Sequence, residues 1–307
     1  MEEHSDIDLS IKLGPLHFAN PVIAASGTFG YGVEFIPFVD LNRLGGFCTK
    51  GLSMNPKTGN CFPRMIETSS GMLNSIGLEN IGLARFINEK ISPLEKFQTR
   101  LIVNFFGGTI GEYVSLATEL SKLSRVDALE MNVSCPNVEK GGLRLSSDPT
   151  MINRIVKLVR KVTNKLLIIK LSPNVKDITE IALAAEEGGA DALSLINTFV
   201  GMKIDVESGK PWLGNITGGL SGPAIKPMAL AMVYETVRAV KIPVIGIGGI
   251  ASVEDALEFL IAGASAIQIG TANYIDPSIT IKVIDGLQKY CKQNNFKSLA
   301  DIPSVKK

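Results

Sequence analysis

The sequence has no apolar run long enough to cross a bilayer, and it does not begin like a secretion signal. A membrane-spanning helix needs about 18 or more predominantly apolar residues. The start, MEEHSDIDLS, is acidic and lacks the cationic and apolar regions of a signal peptide. The sequence also has no excess of charge of one sign, since it contains 31 Lys and Arg and 30 Asp and Glu. These absences argue against membrane or nucleic-acid partners and favour a cytoplasmic protein.

Cysteine and histidine are scarce, which excludes two kinds of site. The four cysteines contain no C-x-x-C pair, so neither a disulfide scaffold nor a zinc or iron–sulfur site is expected. The two histidines, His4 and His17, lie in the N-terminal segment, away from the predicted strand ends. Histidine catalysis and a metal site are therefore not expected, and any special cysteine acts as a thiol.

Apolar runs, in contrast, recur along the chain. With 307 residues, 45% of them hydrophobic, the chain can bury a large core. Eight short runs bounded by turn residues are 21–26, 45–50, 101–106, 127–133, 166–172, 191–197, 243–248 and 266–270. Segments with helical spacing, such as 148–163, separate most of them. The alternation predicts an α/β fold, a single (β/α)₈ TIM barrel, with an open doubly wound sheet as the alternative.

No linker, repeat or low-complexity tract divides the chain, so residues 1–307 are predicted to form one barrel domain. Within it, residues 1–20 are predicted to form a β-hairpin that closes the barrel floor, because IDLSIKLGPLHF (7–18) alternates apolar and polar residues around Gly14 and Pro15. The connections 51–77 and 198–222 are too long for plain turns. They are predicted to be long loops at the C-terminal face that carry function.

Polar residues close most of the predicted strands, where a barrel places its active site. They are Ser26, Lys50, Asn104, Asn132, Lys170, Asn197, Gly248, Gly249, Gly270 and Thr271. Buried lysine and asparagine need partners to offset desolvation, which favours a binding site over chance. The amides suit the edge of a flat heterocycle such as a flavin or pyrimidine. The lysines leave open a Schiff base or a cation that stabilises an anionic ring.

Two glycine-rich turns predict a phosphate site. GIGGIAS (246–252) and GTA (270–272) each lead from a predicted strand into a helix, where backbone N–H groups can meet a phosphate. GIGGIA also matches a dinucleotide-binding fingerprint. Only about 55 residues follow it, however, and no acidic residue closes the next strand, so a Rossmann fold is rejected.

Cys135 is the candidate catalytic thiol. It lies in NVSCPN (132–137), directly after the fourth predicted strand, where Pro136 ends the strand. A thiol at a strand end can act as a base or nucleophile. The other cysteines, Cys48, Cys61 and Cys291, are interpreted as small core residues. Glu130 is interpreted as a paired interior carboxylate, with a catalytic role as the less favoured alternative.

These residues lie in motifs that together resemble the catalytic subunit of class 1 dihydroorotate dehydrogenases over nearly the whole chain. The motifs are ASGTFGYG (25–32), TKGLSMNPKTGN (49–60), GMLNSIGLEN (71–80), NFFGG (104–108), MNVSCPN (131–137), IKLSPN (169–174), INT (196–198), GGLSGPAIKP (218–227), GIGGI (246–250) and GTA (270–272). GMLNSIGLEN and GGLSGPAIKP resemble the NAD-linked type, class 1B, more than the fumarate-linked type. Class 2 enzymes, which use a serine base, are less similar.

The resemblance implies FMN-dependent oxidation of dihydroorotate to orotate in pyrimidine (UMP) biosynthesis. Cys135 would remove the C5 proton while hydride leaves C6 for flavin N5, with Lys50 as the second catalytic residue. One FMN would be held by Ser26, Lys50, Gly51, Asn104, Asn132, Lys170, Ile196, Gly222, Gly248, Gly249, Gly270 and Thr271. Dihydroorotate would be held by Lys50, Asn74, Ser75, Ile76, Gly77, Leu78, Asn132, Asn197 and Thr198.

The resemblance also implies NAD as the final acceptor, reached through a partner because this chain shows no second nucleotide site. The partner would carry FAD and a 2Fe-2S cluster in a heterotetramer of two catalytic and two partner subunits. Residues 198–222, including Trp212, are candidate contacts for it, with a loop packed only on its own chain as the alternative. One alternative is a dihydropyrimidine dehydrogenase-like flavoprotein, although the cysteine-rich segments typical of that class are missing. A Schiff-base aldolase using Lys170 or Lys50 and a non-enzymatic flavoprotein are the others.

Overall fold

Eight parallel strands close into a barrel in the computed structural model, which describes residues 7–134 and 145–305. The strands are Val22–Ala24, Gly46–Cys48, Arg100–Phe105, Ala128–Asn132, Leu166–Lys170, Ala192–Leu195, Val244–Ile247 and Ala266–Ile269. Each pairs with its neighbour in the sequence of barrel strands, and the last pairs with the first, Ile267 opposite Val22. The predicted (β/α)₈ barrel is confirmed. Seven of the eight predicted runs contain a whole barrel strand, and the strand Arg100–Phe105 begins one residue before the run 101–106.

Helices follow most of the strands and cover the outside of the barrel. The α-helices are Gly82–Phe86, Ser92–Leu94, Ile110–Ser121, Pro149–Arg160, Ile178–Glu187, Lys226–Ala239, Val253–Ile261, Ala272–Ile275 and Ile279–Gln293. Short 3₁₀ turns are Val33–Phe35, Leu41–Arg43, Leu145–Ser147, Pro223–Ile225 and Leu299–Asp301, and Ile87–Ile91 is a π-helical turn. Within the described ranges, no helix combines the length and apolar character that a membrane crossing requires.

Side-chain caps fix where the longer helices begin. Thr109, Asp148, Asp177 and Ser252 each accept a hydrogen bond from a backbone N–H group in the first turn of the following helix. Such a cap satisfies a donor that the helix cannot pair internally. In this fold a helix usually begins shortly after a strand ends. The caps therefore also hold in place the loops between strand and helix, where the strand-end residues lie.

The N-terminal segment forms the predicted hairpin, with antiparallel strands Ile11–Leu13 and Leu16–Phe18. Gly14 at its turn has a φ of +51°, which glycine adopts most easily. Leu13 and Phe18 are buried in one apolar cluster with side chains from the barrel strands, including Ile102 and Leu166. The hairpin therefore contributes to the apolar packing inside the barrel.

The two long connections are more regular than their sequences indicate. They contain the strands Met65–Thr68, Gly71–Asn74, Phe199–Met202 and Thr217–Ser221, which form one antiparallel sheet. A two-stranded ribbon, Ile204–Asp205 with Lys210–Pro211, lies within the second connection. Gly219 pairs with Asn74, so the connections are joined to each other. This sheet brings the segment that follows Asn74 to the carboxyl ends of the barrel strands.

Candidate active site

One cavity of about 720 Å³ lies at the carboxyl ends of the barrel strands. Its volume is within the usual range for small-molecule sites. The predicted site residues that line it are Ser26, Lys50, Gly51, Asn74, Ser75, Ile76, Gly77, Leu78, Asn104, Asn132, Lys170, Ile196, Asn197, Thr198, Gly222, Gly248, Gly249, Gly270 and Thr271. Cys135 lies outside the described residues. The other predicted residues, although spread over some 250 positions of sequence, meet in this single cavity.

Strand register places Lys170 among the polar strand ends. Lys170 is opposite Asn132 on one neighbouring strand and opposite Ser194 on the other. It is only 6% exposed, and its Nζ lies 3.7 Å from Glu130 Oε1. A buried ammonium held against a carboxylate is suited to act as a fixed cation, whereas a Schiff base requires a neutral amine. The geometry thus favours the cation over the aldolase alternative.

Glu130 is a fully buried carboxylate that accepts hydrogen bonds from Asn104, Ser194 and Gln268. Burial alone raises the pKa of the Glu130 carboxyl, but the Lys170 charge and these hydrogen bonds outweigh burial and bring the pKa below its ordinary value. The carboxylate is therefore ionised at neutral pH. It is a paired interior group, as predicted, and it is not part of the cavity lining.

A second set of amides surrounds the cavity on the strands that follow. Asn197 Nδ2 donates to Ser134 Oγ at 2.9 Å, and the Ser134 N–H donates to Asn132 Oδ1 at 3.0 Å. Asn174 Nδ2 donates to the carbonyl oxygen of Thr198 at 2.9 Å. Ser134 and Asn174 also line the cavity, although neither was predicted as a site residue. Their signal was present, because both lie within motifs that follow barrel strands.

Lys50 supplies a second cation at the cavity. Its side chain is 28% exposed, and its Nζ lies 3.9 Å from Glu79 Oε1, a distance too long for a hydrogen bond. Glu79 is also held by Arg64. The adjoining turn requires glycine at position 77, where φ is +77° and a Cβ atom would lie 2.5 Å from the Asn60 side chain. The cation and the polar turn are chemically suited to an anionic group.

Glycines in the turns after the last two barrel strands also line the cavity. Gly248 and Gly249 have φ values of +139° and +71°, and a Cβ atom on Gly249 would lie 2.9 Å from the carbonyl oxygen of Gly222. A Cβ atom on Gly270 would meet only Ala25, at 3.7 Å, so this face of Gly270 is open. Gly248 and Gly249 are thus required by close packing against the protein, whereas Gly270 leaves its main chain open to the close approach of a ligand.

The described cysteines differ in exposure. Cys48 and Cys291 are fully buried, as predicted, and burial raises the pKa of both thiols, with Glu130 adding to the effect on Cys48. The prediction for Cys61 was wrong, since it is exposed. It lies in the connection after Lys50, beside the Phe62–Pro63 bond, where the backbone rather than the side chain packs against Gly214.

This difference predicts selective alkylation of the folded protein. Iodoacetamide at neutral pH is expected to modify Cys61 rapidly and to leave Cys48 and Cys291 unmodified, because a thiolate must form and be accessible to react. Peptide mass mapping after a timed reaction measures each site. Modification of Cys48 at the rate of Cys61, without unfolding, would contradict the buried position of Cys48.

The fold and the site together define a class: a (β/α)₈ barrel protein with an amide-rich, cation-bearing cavity at the carboxyl ends of its strands. The sequence model of the family described as Dihydroorotate dehydrogenase matches residues 8–291. The chain belongs to the dihydroorotate dehydrogenase family. The family resemblance inferred from the motifs is thereby confirmed.

Individual relatives agree with this membership. The chain is 52% identical to proteins named dihydroorotate dehydrogenase B (NAD(+)), catalytic subunit, from Parabacteroides distasonis and Bacteroides thetaiotaomicron, in each case covering 96% of this chain and 97% of the relative. The crystal structure of DHODH from Eimeria tenella in complex with ferulenol superposes with a TM-score of 0.80 at 22% identity. That match covers 99% of this chain and 90% of the other, and it supports the fold.

Proposed function

We propose that this chain oxidises dihydroorotate to orotate with one bound FMN in pyrimidine biosynthesis, as the catalytic subunit of an NAD-linked enzyme. The observation that carries the proposal is the cavity, in which residues predicted for FMN and for dihydroorotate lie side by side. The relatives named dihydroorotate dehydrogenase B support the same reaction. In this proposal residues 1–307 form a single FMN-binding domain of a cytoplasmic protein.

The residues of the cavity fit FMN by three independent features. The Asn104 carbonyl oxygen is buried without a hydrogen-bond partner among the described residues, so a ligand N–H or O–H group would satisfy it. Lys170 offers a fixed cation for an electron-rich ring. The backbone at Gly270, which is open, together with the neighbouring glycine turn at Gly248 and Gly249, suits a phosphate. When bound, FMN supplies the acceptor for the hydride that leaves C6 of dihydroorotate.

The protein residues are assigned to binding and to proton removal. Lys50 pairs with the substrate carboxylate, and the segment from Asn74 to Leu78 closes around it. Asn132 and Asn197 hydrogen bond to the carbonyl and N–H groups of the pyrimidine ring. Cys135, as thiolate, accepts the proton from C5, so that loss of this proton and of the C6 hydride leaves the C5–C6 double bond of orotate. Ser134, which immediately precedes Cys135 in the sequence, lines the cavity.

The visible spectrum tests cofactor and substrate together. The purified protein is expected to be yellow and to bleach when dihydroorotate is added without oxygen. A colourless protein that cannot be loaded with FMN would refute the proposal. Trapping of a carbonyl substrate by borohydride on Lys170 or Lys50 would instead support the aldolase, and bleaching by a dihydropyrimidine but not by dihydroorotate would support the dihydropyrimidine dehydrogenase-like alternative.

Electron transfer to NAD is proposed to require a partner subunit with FAD and a 2Fe-2S cluster, in a heterotetramer of two catalytic and two partner subunits. The names of the relatives, which specify a catalytic subunit, support a second subunit. The surface around Trp212, which is 43% exposed, is the proposed contact. Its backbone N–H donates to the carbonyl oxygen of Lys203, beside the exposed Ile204, and Val200 is a further exposed apolar residue of the same connection.

We expect the isolated chain to reduce an artificial dye with dihydroorotate but not to reduce NAD. The reason is that the cavity at the carboxyl ends of the strands would be filled by FMN and substrate. Parallel assays of dye and NADH absorbance on protein expressed without any partner make the measurement. Rapid NAD reduction by this chain alone would contradict the prediction, and efficient turnover with fumarate would assign it to the fumarate-linked type.

A further inference from the structure

Glu130 lies deeper in the barrel than the cavity, and side chains from four other barrel strands converge on it. Its Oε1 accepts a hydrogen bond from Asn104 Nδ2 at 2.7 Å and lies 3.7 Å from Lys170 Nζ. Its Oε2 accepts hydrogen bonds from Ser194 Oγ at 2.9 Å and from Gln268 Nε2 at 2.7 Å. Of these partners, Asn104 and Lys170 line the cavity, whereas Glu130, Ser194 and Gln268 do not. Glu130 therefore reaches the cavity through Asn104 and Lys170.

The carboxylate determines how the Asn104 amide is oriented. A side-chain amide has two orientations that exchange oxygen and nitrogen, and its hydrogen-bond partners decide between them. An ionised carboxylate only accepts hydrogen bonds, so the NH₂ group of Asn104 must face Glu130. The carbonyl oxygen is then directed away from Glu130, towards Gly51, another lining residue, because a Cβ atom on Gly51 would stand 3.0 Å from it, and it has no hydrogen-bond partner among the described residues.

The same carboxylate balances a buried charge. Lys170 is 6% exposed at the cavity, and a buried ammonium without a counter-charge is strongly unfavourable. Together with Glu130 it forms a pair that is neutral overall, with the positive member at the cavity and the negative member behind it. The strength of the field that a ligand experiences from Lys170 thus depends on Glu130.

We propose that Glu130 is a positioning residue that sets both the affinity of the protein for the flavin and the reduction potential of the bound flavin. It does so by fixing a hydrogen-bond acceptor, on Asn104, and a cation, on Lys170, at the cavity wall. This inference rests on the proposed function, because it takes the ligand to be FMN. Glu130 itself has no contact with the ligand and no role as acid or base.

Glu130→Gln is the direct test, since it keeps the size of the side chain and removes its charge. The NH₂ group of the new glutamine must replace one of the two carboxylate oxygens, and so face the amide donor of Asn104 or of Gln268. The orientation of the Asn104 amide is then no longer fixed. We expect FMN to bind to the apoprotein at least about tenfold more weakly, measured by quenching of FMN fluorescence. The two-electron midpoint potential is expected to rise by about 30 mV or more, because loss of the negative charge favours the anionic reduced flavin by about tenfold.

Ser194→Ala is the matched control, because it removes a partner of the other carboxylate oxygen without touching the cavity. It is expected to lower the melting temperature and to leave FMN affinity and potential at the wild-type values. Equal losses of FMN affinity in Ser194→Ala and Glu130→Gln would show a general packing effect and would overturn the assignment. Wild-type affinity and potential in Glu130→Gln would overturn it as well.

Glu130→Asp keeps the test decisive if Glu130→Gln does not fold. Aspartate retains the charge and the acceptor atoms but withdraws them by one methylene group. We expect weaker FMN binding with a potential close to that of the wild type, and unchanged FMN affinity would overturn the assignment. Failure of the wild-type apoprotein to bind FMN would refute the proposed function and this inference with it, whereas normal wild-type binding isolates the effect of Glu130.

Discussion

Replacement of Cys135 with alanine is expected to leave FMN bound and to slow flavin reduction by dihydroorotate about 10²- to 10⁴-fold. The magnitude is that of a positioned general base, here the group proposed to remove the C5 proton. Stopped-flow absorbance under anaerobic conditions measures the rate directly and separates it from later electron transfer. Retention of the flavin spectrum shows that the variant has kept its fold and its cofactor.

Two further variants make the test specific to this thiol. Cys135→Ser is expected to regain part of the activity only at high pH, since a hydroxyl is a poorer base than a thiol. Cys61→Ala removes an exposed cysteine outside the cavity lining and is expected to react at the wild-type rate. Flavin reduction at the wild-type rate by Cys135→Ala at neutral pH would exclude the thiol from the mechanism.

The barrel and the place of the site were predictable because parallel strands buried on both faces leave a clear pattern. The run 166–172 shows why: its apolar residues pack on both sides of the strand Leu166–Lys170, and the polar Lys170, at which the strand ends, lines the cavity. In a barrel the carboxyl ends of all strands lie at one face. Residues that end different strands in the sequence are therefore predicted to be neighbours in space.

The antiparallel sheet over the cavity was not predictable in the same way. Its strand Thr217–Ser221 reads TGGLS, with two glycines and no apolar alternation, because the strand is half-exposed and is held by pairing with Leu73 and Phe199. Glycine is ordinarily depleted in strands, so composition indicated a loop. Position 219 requires glycine, since a Cβ atom there would lie 2.1 Å from Thr198 Oγ1.

The partners of Glu130 were beyond sequence reasoning for a different reason. Parity along one strand shows that Glu130 and Asn132 face the same side, but it does not show which residues of other strands lie at the same height. Gln268 and Ser194 reach Glu130 only because of the register and stagger of the closed barrel. Only a three-dimensional structure supplies that information.

Lys50 is the cation whose removal is expected to weaken the binding and oxidation of the substrate most strongly. It stands at the end of the strand Gly46–Cys48, beside the turn that contains Ser75 and Gly77, and all three residues line the cavity. Its nearest carboxylate in the described part of the chain, that of Glu79, is 3.9 Å away and is also held by Arg64. The Lys50 ammonium therefore makes no hydrogen bond to Glu79, and in the proposed function its donors are available to the substrate carboxylate.

We expect Lys50→Ala to lower kcat/KM for dihydroorotate by roughly 10- to 100-fold. A hydrogen bond to a charged group contributes about 1.5–3 kcal/mol, and each 1.4 kcal/mol corresponds to a factor of ten. The loss should appear both in KM and in the anaerobic rate of flavin reduction, because one cation is assigned to substrate and flavin together. Lys122→Ala is the control, since that side chain is 62% exposed and pairs with Glu119 on the surface. If Lys50→Ala weakened FMN binding alone and reacted normally once saturated with FMN, Lys50 would belong to the cofactor site and not to the substrate.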